Sequence, residues 1–343
     1  MRLFEKIKND EVYVIAEMSG NHAGSKDRAI EIMKAAKESG ADCIKIQTYT
    51  PDTMTIDCDS EYFNIAGGTW DGENLYKLYQ KAYTPWEWQE ELKNEAQKIG
   101  IDFLSTAFDK SSVDFLESIG LEFYKIASFE LTDIPLIKYV ASKGKPIILS
   151  TGMASLEEIE LAVKTIKNEG NDRLVLLKCS SDYPAVTEEM NLRTMVDIGK
   201  RFDVPVGLSD HSMGSIGVVA AVAMGARVVE KHFCVSRKVK NPDSTFSLEP
   251  GEFKQMVEDI RTAQLALGKV KYGPSEREKA NLKFRRSVFC VKDIKAGEII
   301  SPENVRVIRP SFGLAPVYYE DILGKRAKTD IKFGTPMSWE VVE

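Results

Sequence analysis

Polar side chains whose types suit anion binding lie in or directly after several apolar segments of the sequence. Lys45 and Lys125 lie within such segments, where a purely structural lysine would have to extend its ammonium group to solvent. Hydroxyl side chains occur near the ends of other segments, at Thr106, Ser128, Ser150 and Ser209. Together these groups predict a site for phosphate or carboxylate, because each anionic oxygen accepts several hydrogen bonds. The alternative is that the lysines form structural ion pairs with Glu17 and Glu230.

Two of the three histidines, His211 and His232, end consecutive apolar segments. If those segments are neighbouring strands, the two imidazoles lie side by side. Two nitrogen ligands completed by oxygen ligands favour a divalent ion such as Mn²⁺ over Mg²⁺, with positions left open for substrate. Glu17 and Asp243 are the candidate acids for that site, and Mg²⁺ or Co²⁺ could replace Mn²⁺. The alternative is that each imidazole only donates to a backbone carbonyl.

These residues can form one site only if the secondary structure brings the ends of their segments together. Eight β-rich runs alternate with amphipathic helical patterns, and nearly continuous apolar strands are typical of a parallel sheet covered by helices. Eight βα units in about 250 residues predict an α/β fold of the (β/α)₈ TIM-barrel type, with the active site at the carboxyl ends of the strands. A doubly wound open sheet is the alternative. The predicted strands are residues 12–17, 42–47, 101–106, 122–126, 146–150, 174–178, 204–209 and 227–231.

The pattern changes after Gly268. Residues 269–286 are polar and include Gly273-Pro274, which is typical of a linker. Residues 287–343 contain short strands among turn residues and offer little apolar material for a separate core. We therefore predict a catalytic barrel over residues 1–268, a linker over 269–286 and a small β-rich domain over 287–343.

Composition excludes several classes of protein. The net charge is −6 and the sequence has no basic stripe, so nucleic acid is not an expected partner. No apolar run approaches the roughly 20 residues that cross a bilayer. The first six residues lack the apolar core of a signal peptide. The five scattered cysteines show no CxxC spacing, which is typical of reduced thiols in the cytoplasm.

At these residues the chain resembles the sialic acid synthase family, nearly from end to end. The matching motifs are residues 16–24 (AEMSGNHAG), 45–48 (KIQT), 124–128 (YKIAS), 150–153 (STGM), 207–212 (GLSDHS) and 230–233 (EKHF). Residues 292–298 (KDIKAGE) resemble the antifreeze-like (SAF) domain of these enzymes, a β-clip fold.

Three further motifs look like the branch of the family that makes pseudaminic acid. They are residues 49–55 (YTPDTMT), 67–70 (GGTW) and 309–314 (RPSFGL). Sialic acid synthases usually carry an asparagine where Ser181 stands, which implies a different sugar at that point. The alternatives within the family are N-acetylneuraminate and legionaminate synthases.

The resemblance implies a reaction and a role for each residue. Phosphoenolpyruvate (PEP) would bind Lys45 and Lys125 with the four hydroxyls named above, and His211 and His232 would hold the metal ion that polarises the sugar aldehyde. Glu17 and Asp243 would handle protons or position water. The expected sugar contacts are Gln47, Glu130, Tyr183 and Arg309.

The resemblance also implies the substrate and the assembly. The sugar would be 2,4-diacetamido-2,4,6-trideoxy-L-altrose, and the product pseudaminic acid, which modifies flagellin, capsule or lipopolysaccharide. Arg309 would come from the tail of the neighbouring subunit in a domain-swapped homodimer.

Two interpretations from other classes remain. A (β/α)₈ aldolase would form a Schiff base on Lys125 or Lys231 and would not need a metal. A sugar-binding or ice-binding protein would depend on the tail, but it would leave the lysines and histidines of the barrel without a purpose.

Overall fold

The computed structural model describes residues 2–343, so Met1, the first residue of the predicted barrel domain, lies outside it. The chain divides into two compact units, with the boundary between Gly268 and Lys269. No helix in the described residues is long and apolar enough to cross a membrane.

Within residues 2–268, eight parallel strands form a closed barrel in sequence order. The predicted (β/α)₈ barrel is confirmed and the open sheet is wrong, because β1 pairs with both β2 and β8. The strands are β1 (Tyr13–Glu17), β2 (Cys43–Thr48), β3 (Asp102–Ala107), β4 (Tyr124–Ile126), β5 (Ile147–Ser150), β6 (Leu174–Cys179), β7 (Val206–Asp210) and β8 (Val228–His232).

Amphipathic helices cover the barrel, and local signals fix where they begin. Ser25 caps α2 by accepting a hydrogen bond from the Arg28 amide, and Ser155 and Glu158 form a reciprocal capping box at α8. The helices of this unit are α1 (Arg2–Lys8), α2 (Lys26–Glu38), α3 (Pro51–Met54), α4 (Leu75–Ala82), α5 (Trp86–Ile99), α6 (Lys110–Ser118), α7 (Ile134–Ser142), α8 (Leu156–Asn168), α9 (Arg193–Phe202), α10 (Ile216–Ala223) and α11 (Pro250–Leu267).

The barrel interior changes from apolar to polar along the strands. Successive strand side chains point to opposite faces, so every second residue faces inward. Toward the amino ends of the strands, the interior is a separate apolar cluster that includes Ile15, Leu104, Val175 and Val228. Leu3 of α1 also belongs to this cluster. Two residues further along each strand, the inward positions are mostly polar. The polar end is therefore the carboxyl end, where catalytic residues of such barrels lie.

The segment after β2, residues 49–85, lies between β2 and α5 and contributes to the carboxyl end of the barrel. His22, in the loop after β1, accepts the Gly24 amide at Nδ1, and its Nε2 lies 3.2 Å from the Thr84 hydroxyl at the end of the segment. His22 is completely buried. Its ring therefore connects the two loops and has no nitrogen left for a ligand.

The second unit contains an antiparallel pair, β9 (Ser287–Cys290) and β10 (Val305–Ile308), with the short helices α12 (Glu276–Lys279) and α13 (Tyr319–Ile322). It encloses its own small cluster of buried apolar residues, including Val288, Ile300 and Ile331, so it has more core than its composition suggested. The backbone at Leu282 and Lys283, inside the predicted linker, accepts hydrogen bonds from Ser311. This part of the segment is thus held against the unit.

A glycine in β7 tests the packing of the interior. A Cβ at Gly207 would overlap the carbonyl oxygen of Val228 and lie 2.8 Å from Leu177 Cδ2. We expect Gly207→Ala to destabilise the barrel by about 1–3 kcal/mol or more, because close-packed strands cannot separate locally. The matched control is Gly251→Ala in the first turn of α11, where a Cβ meets nothing within 4 Å and no loss is expected. Equal thermal unfolding temperatures for the two variants would contradict this account of the packing.

Candidate active site

Lys45 lies in a buried cluster with two carboxylates at the polar end of the barrel. Its Nζ is 2.7 Å from Glu17 Oε2 and 3.3 Å from Glu230 Oε1, and it donates to the Thr106 hydroxyl at 3.2 Å. Burial lowers the pKa of Lys45, but the two carboxylates outweigh burial and hold that pKa above its ordinary value. The ion pairs that the sequence offered as an alternative to anion binding are therefore present at Lys45.

The two carboxylates of this cluster have different proton affinities. Burial raises the pKa of Glu17 to about 6, although Lys45 lowers it, and Gln47 donates to its Oε1 at 3.1 Å. Burial also acts on Glu230, but Lys125 and Lys45 hold the Glu230 pKa below its ordinary value. Neighbouring carboxyl groups whose pKa values are separated in this way are typical of acid–base sites.

Lys125 differs from Lys45 in making no direct ion pair, although Glu230 is near enough to favour its charged form. Its Nζ donates to the Ile126 carbonyl at 3.1 Å, and no carboxylate in the described part of the chain lies within 4.0 Å of it. Burial lowers the pKa of Lys125. On the neighbouring strand, the Ser150 hydroxyl is buried without a partner among residues 2–343. A buried cation beside an unsatisfied hydroxyl can hold an anion with little rearrangement.

Two more predicted anion ligands, Ser128 and Ser209, also lie at the carboxyl end of the barrel. The Ser128 hydroxyl accepts the Gly152 amide at 3.0 Å, and the Ser209 hydroxyl donates to Glu230 Oε1 at 3.3 Å. A Cβ at Gly152 would overlap the hydroxyls of Ser128 and Ser181, so only glycine allows this close approach of the loop. All six predicted PEP ligands thus face the polar end of one barrel.

His211 and His232 lie next to each other, with ring centroids 5.2 Å apart. The Nδ1–H of His211 donates to the Ser180 carbonyl at 2.9 Å, which leaves the lone pair on Nε2. His232 Nδ1 is buried and has no hydrogen-bond partner in the described residues. A histidine held through one nitrogen and a second with an unsatisfied nitrogen fit a divalent metal ion.

The acids that the sequence offered to complete this metal site point elsewhere. Across residues 2–343, no group of three or more His, Cys, Asp or Glu side chains is arranged around a common point. Glu17 bonds Lys45 and Gln47, and Asp243 Oδ2 accepts the Gly20 amide at 2.8 Å.

A cavity of about 480 Å³ opens beside these groups. Three of the predicted sugar contacts line it, namely Gln47, Glu130 and Tyr183. His232 and Asp243 also line it. Its apolar wall comes largely from the segment after β2, with Met54, Ile65, Trp70, Leu75, Leu78 and Tyr79. A cavity lined by both polar groups and an apolar wall suits a substituted sugar.

Two acids at the cavity have raised pKa values. Burial raises the pKa of Glu130 to about 7, against the effect of Lys125, and one Glu130 oxygen has no partner within residues 2–343. Burial also raises the pKa of Asp243, which is 7 % exposed. Arg309, the fourth predicted sugar contact, directly follows β10 in the second unit. Its place at a sugar site stays a prediction.

The sequence did not reveal which strand-end residues face inward. Lys178, Asp210 and Lys231 lie at the ends of their strands, but alternation along β6, β7 and β8 turns them to the outside of the barrel. The inward residue of β6 is Cys179, whose Sγ lies 3.8 Å from His211 Nδ1. The two-residue period identifies this thiol only when the predicted strand 174–178 is extended by one residue, as the observed strand is.

Similarity to known proteins agrees with this geometry. A model of the NeuB family matches residues 32–272, and a model of the SAF domain matches residues 285–343. The chain is 49% identical to the pseudaminic acid synthase of Campylobacter jejuni over 94% of each chain. It is 43% identical to the pseudaminic acid synthase of Helicobacter pylori, over 96% of this chain and 97% of the other.

A solved structure gives the same result for the fold. The crystal structure of an N-acetylneuraminic acid (sialic acid) synthetase from Leptospira borgpetersenii, in complex with citrate, matches with a TM-score of 0.70 and 31% identity. The match covers 79% of this chain and 90% of that chain. The resemblance inferred from the motifs is confirmed: the chain belongs to the NeuB family and carries a SAF domain.

Proposed function

We propose that the chain is a pseudaminic acid synthase, which condenses PEP with 2,4-diacetamido-2,4,6-trideoxy-L-altrose and water and releases phosphate. The observation that carries the proposal is the buried ammonium group of Lys125, which makes no direct ion pair, with the unpartnered Ser150 hydroxyl on the neighbouring strand. This arrangement suits an anionic substrate at the polar end of the barrel. The pseudaminic acid synthases of Campylobacter jejuni and Helicobacter pylori, both similar over nearly the full chain, support the same reaction.

PEP would bind between the two lysines. Lys125 would supply the free positive charge, and Ser128, Ser150, Thr106 and Ser209 would supply hydroxyl donors. Lys45 already faces Glu17 and Glu230, so its contribution depends on the protonation of these acids. Because the pKa of Glu17 is about 6, this carboxyl can take up a proton when the anion arrives.

His211 and His232 would hold a divalent metal ion, with Mn²⁺ as the proposed ion because two imidazoles and oxygen ligands suit it. The ion would supply Lewis-acid polarisation of the sugar aldehyde. The hydrogen bond from His211 to Ser180 keeps the imidazole in the tautomer that such binding needs.

The reaction makes one carbon–carbon bond and breaks one carbon–oxygen bond. Carbon 3 of PEP attacks the aldehyde carbon of the open-chain sugar, and water adds to the resulting cation at carbon 2. The oxygen of that water stays as the ketone oxygen when phosphate leaves from carbon 2. Protons released by the water pass to the new sugar hydroxyl and to phosphate. Glu17 and Asp243, both with raised pKa values, are the proposed groups that handle these protons.

The apolar wall of the cavity supports a 6-deoxy sugar. A methyl group can pack against side chains such as Leu75 and Tyr79, while Gln47 and Glu130 face it from the polar side. One such contact discriminates by only about 1–3 kcal/mol, so hydroxylated sugars would be poorer substrates without being excluded. N-Acetylneuraminate and legionaminate synthesis are the alternatives within the family.

A Schiff-base aldolase is the second candidate, and one observation favours it. Burial lowers the pKa of Lys125, which is what a nucleophilic lysine requires. Lys231 does not qualify, because its side chain is fully buried outside the barrel interior and ion-paired with Asp210. Borohydride with substrate would trap a Schiff base and would have no effect on the proposed synthase.

The activity test combines substrate choice with metal removal. We expect phosphate release from PEP with the altrose sugar, loss of turnover with a chelator, and restoration by Mn²⁺. His211→Ala and His232→Ala should each lower turnover by about 100-fold or more, because removing a metal ligand removes Lewis-acid catalysis. Full activity in either variant would overturn the metal site. Phosphate release with N-acetylmannosamine and not with the altrose sugar would overturn the substrate assignment.

We also propose that the chain works as a domain-swapped homodimer, joined through residues 269–286. Phe129, Met153 and Met213 are exposed by 50–64% on the loops after β4, β5 and β7. In the second unit, Phe312 and Phe333 are exposed by 70% and 72%. Apolar side chains gathered on such loops and on a small domain are typical of surfaces that another chain covers. The tail of each subunit, with Arg309, would complete the site of its partner.

Complementation tests this assembly. We expect chains carrying His211→Ala and chains carrying Arg309→Ala to be inactive as homodimers. In a heterodimer built by exchange, one site has both defects and the other has neither, so about half of the native activity should return. Each variant alone, taken through the same refolding, is the control. If purified heterodimers stay inactive, each tail serves its own barrel and the swap is wrong.

A further inference from the structure

A second charged pair lies on the outside of the strands that carry the two histidines. Lys231 Nζ is 2.5 Å from Asp210 Oδ2, and the two side chains are 0% and 1% exposed. Asp210 and Lys231 are direct neighbours in the register of β7 and β8. Their chain neighbours are His211 and His232. The pair therefore joins the two strands at the position next to the imidazoles.

The same pair also holds the start of the loop after β7. Asp210 Oδ1 accepts the Ser212 amide at 2.8 Å, and Lys231 Nζ donates to the Ser212 carbonyl oxygen. Both backbone polar groups of Ser212 are thus bound from the outside. His211 lies between Asp210 and Ser212, so both peptide neighbours of this histidine are fixed relative to β8.

Stability alone does not account for a charged pair at this place. The outward positions before it, Leu208 and Val229, are buried apolar residues that pack against the helices. Well-packed apolar side chains are often as stabilising as a buried ion pair, because desolvation of two charges offsets their attraction. What an apolar pair cannot do is direct hydrogen bonds to both backbone groups of Ser212.

We propose that Asp210 and Lys231 are positioning residues, which set the distance and orientation between His211 and His232 for a divalent metal ion. The inference rests on the proposed function for the role of the histidines. The pair acts through the backbone from outside the barrel, whereas the Ser180 carbonyl holds the His211 ring from inside. Two independent restraints on one imidazole are typical of a metal ligand whose orientation matters.

The test measures Mn²⁺ binding by electron paramagnetic resonance in the full chain, without PEP or sugar. The double variant Asp210→Asn with Lys231→Met removes both charges, so no buried charge stays unpaired. We expect its Mn²⁺ dissociation constant to rise by about 10- to 100-fold, as for other partners that orient metal ligands. Asp210→Asn alone keeps an acceptor for the Ser212 amide but removes the ion pair that joins β7 to β8, so it should raise the dissociation constant in the same direction by a smaller factor; it serves if the double variant does not fold.

The matched control is Asp102→Asn at the opposite end of the barrel. Asp102 accepts hydrogen bonds from Arg2 and Tyr13, so this variant should lower the unfolding temperature without changing Mn²⁺ affinity. Unchanged Mn²⁺ affinity in the folded Asp210 or double variant would overturn the inference while leaving the proposed function intact. Absence of Mn²⁺ binding in the native chain would overturn the metal site and this inference together. An equal loss of Mn²⁺ affinity in Asp102→Asn would show that the loss comes from general destabilisation, and it would also overturn the inference.

Discussion

The desolvation of charges inside a closed barrel is the constraint on which the rest of this structure depends. Alternation along eight strands turns every second side chain into a closed interior, which is filled by apolar side chains at the amino ends of the strands. A buried charge there is costly unless another charge or a hydrogen bond compensates it. Glu17, Lys45 and Glu230 meet this condition by compensating one another, with Lys45 between the two carboxylates.

The groups left without compensation mark where ligands belong. Lys125 has no carboxylate within reach in the described residues, and Ser150, Glu130 and His232 each keep a buried polar atom without a partner there. An unsatisfied buried polar atom costs about 1–3 kcal/mol, which an arriving phosphate, sugar hydroxyl or metal ion would recover. The same incompleteness that weakens the free protein thus prepares it for binding.

Sequence patterns predict this fold well because the barrel repeats one signal. Nearly continuous apolar strands and capped amphipathic helices specify each βα unit, and the observed strands overlap the predicted ranges. The candidate site follows from the same rule, since Lys45, Lys125, His211 and His232 all end up at the carboxyl ends of strands. Motif resemblance, more than spacing, assigned roles to these residues.

What the sequence does not show depends on side-chain direction and on distant packing. A polar residue at a strand end looks the same whether it faces inward or outward, so the sequence offers Lys231 together with Lys125 as a Schiff-base lysine. Cys179 lies one residue beyond the predicted strand 174–178, so the sequence does not place it beside His211. The apolar wall of the cavity comes from a segment whose place above the barrel depends on tertiary contacts such as the hydrogen bond from Trp70 to the Pro242 carbonyl.

The buried ammonium group of Lys125, which makes no direct ion pair, is proposed to bind PEP, and calorimetric titration of PEP into the metal-free chain tests this most directly. Lys125→Met should weaken PEP binding by about 10- to 100-fold, since a hydrogen bond to a charged group is worth about 1.5–3 kcal/mol. Lys178→Met, which removes a half-buried lysine from the outer face of β6, should leave the affinity unchanged. Native affinity in the Lys125 variant, or an equal loss in both variants, would contradict the account.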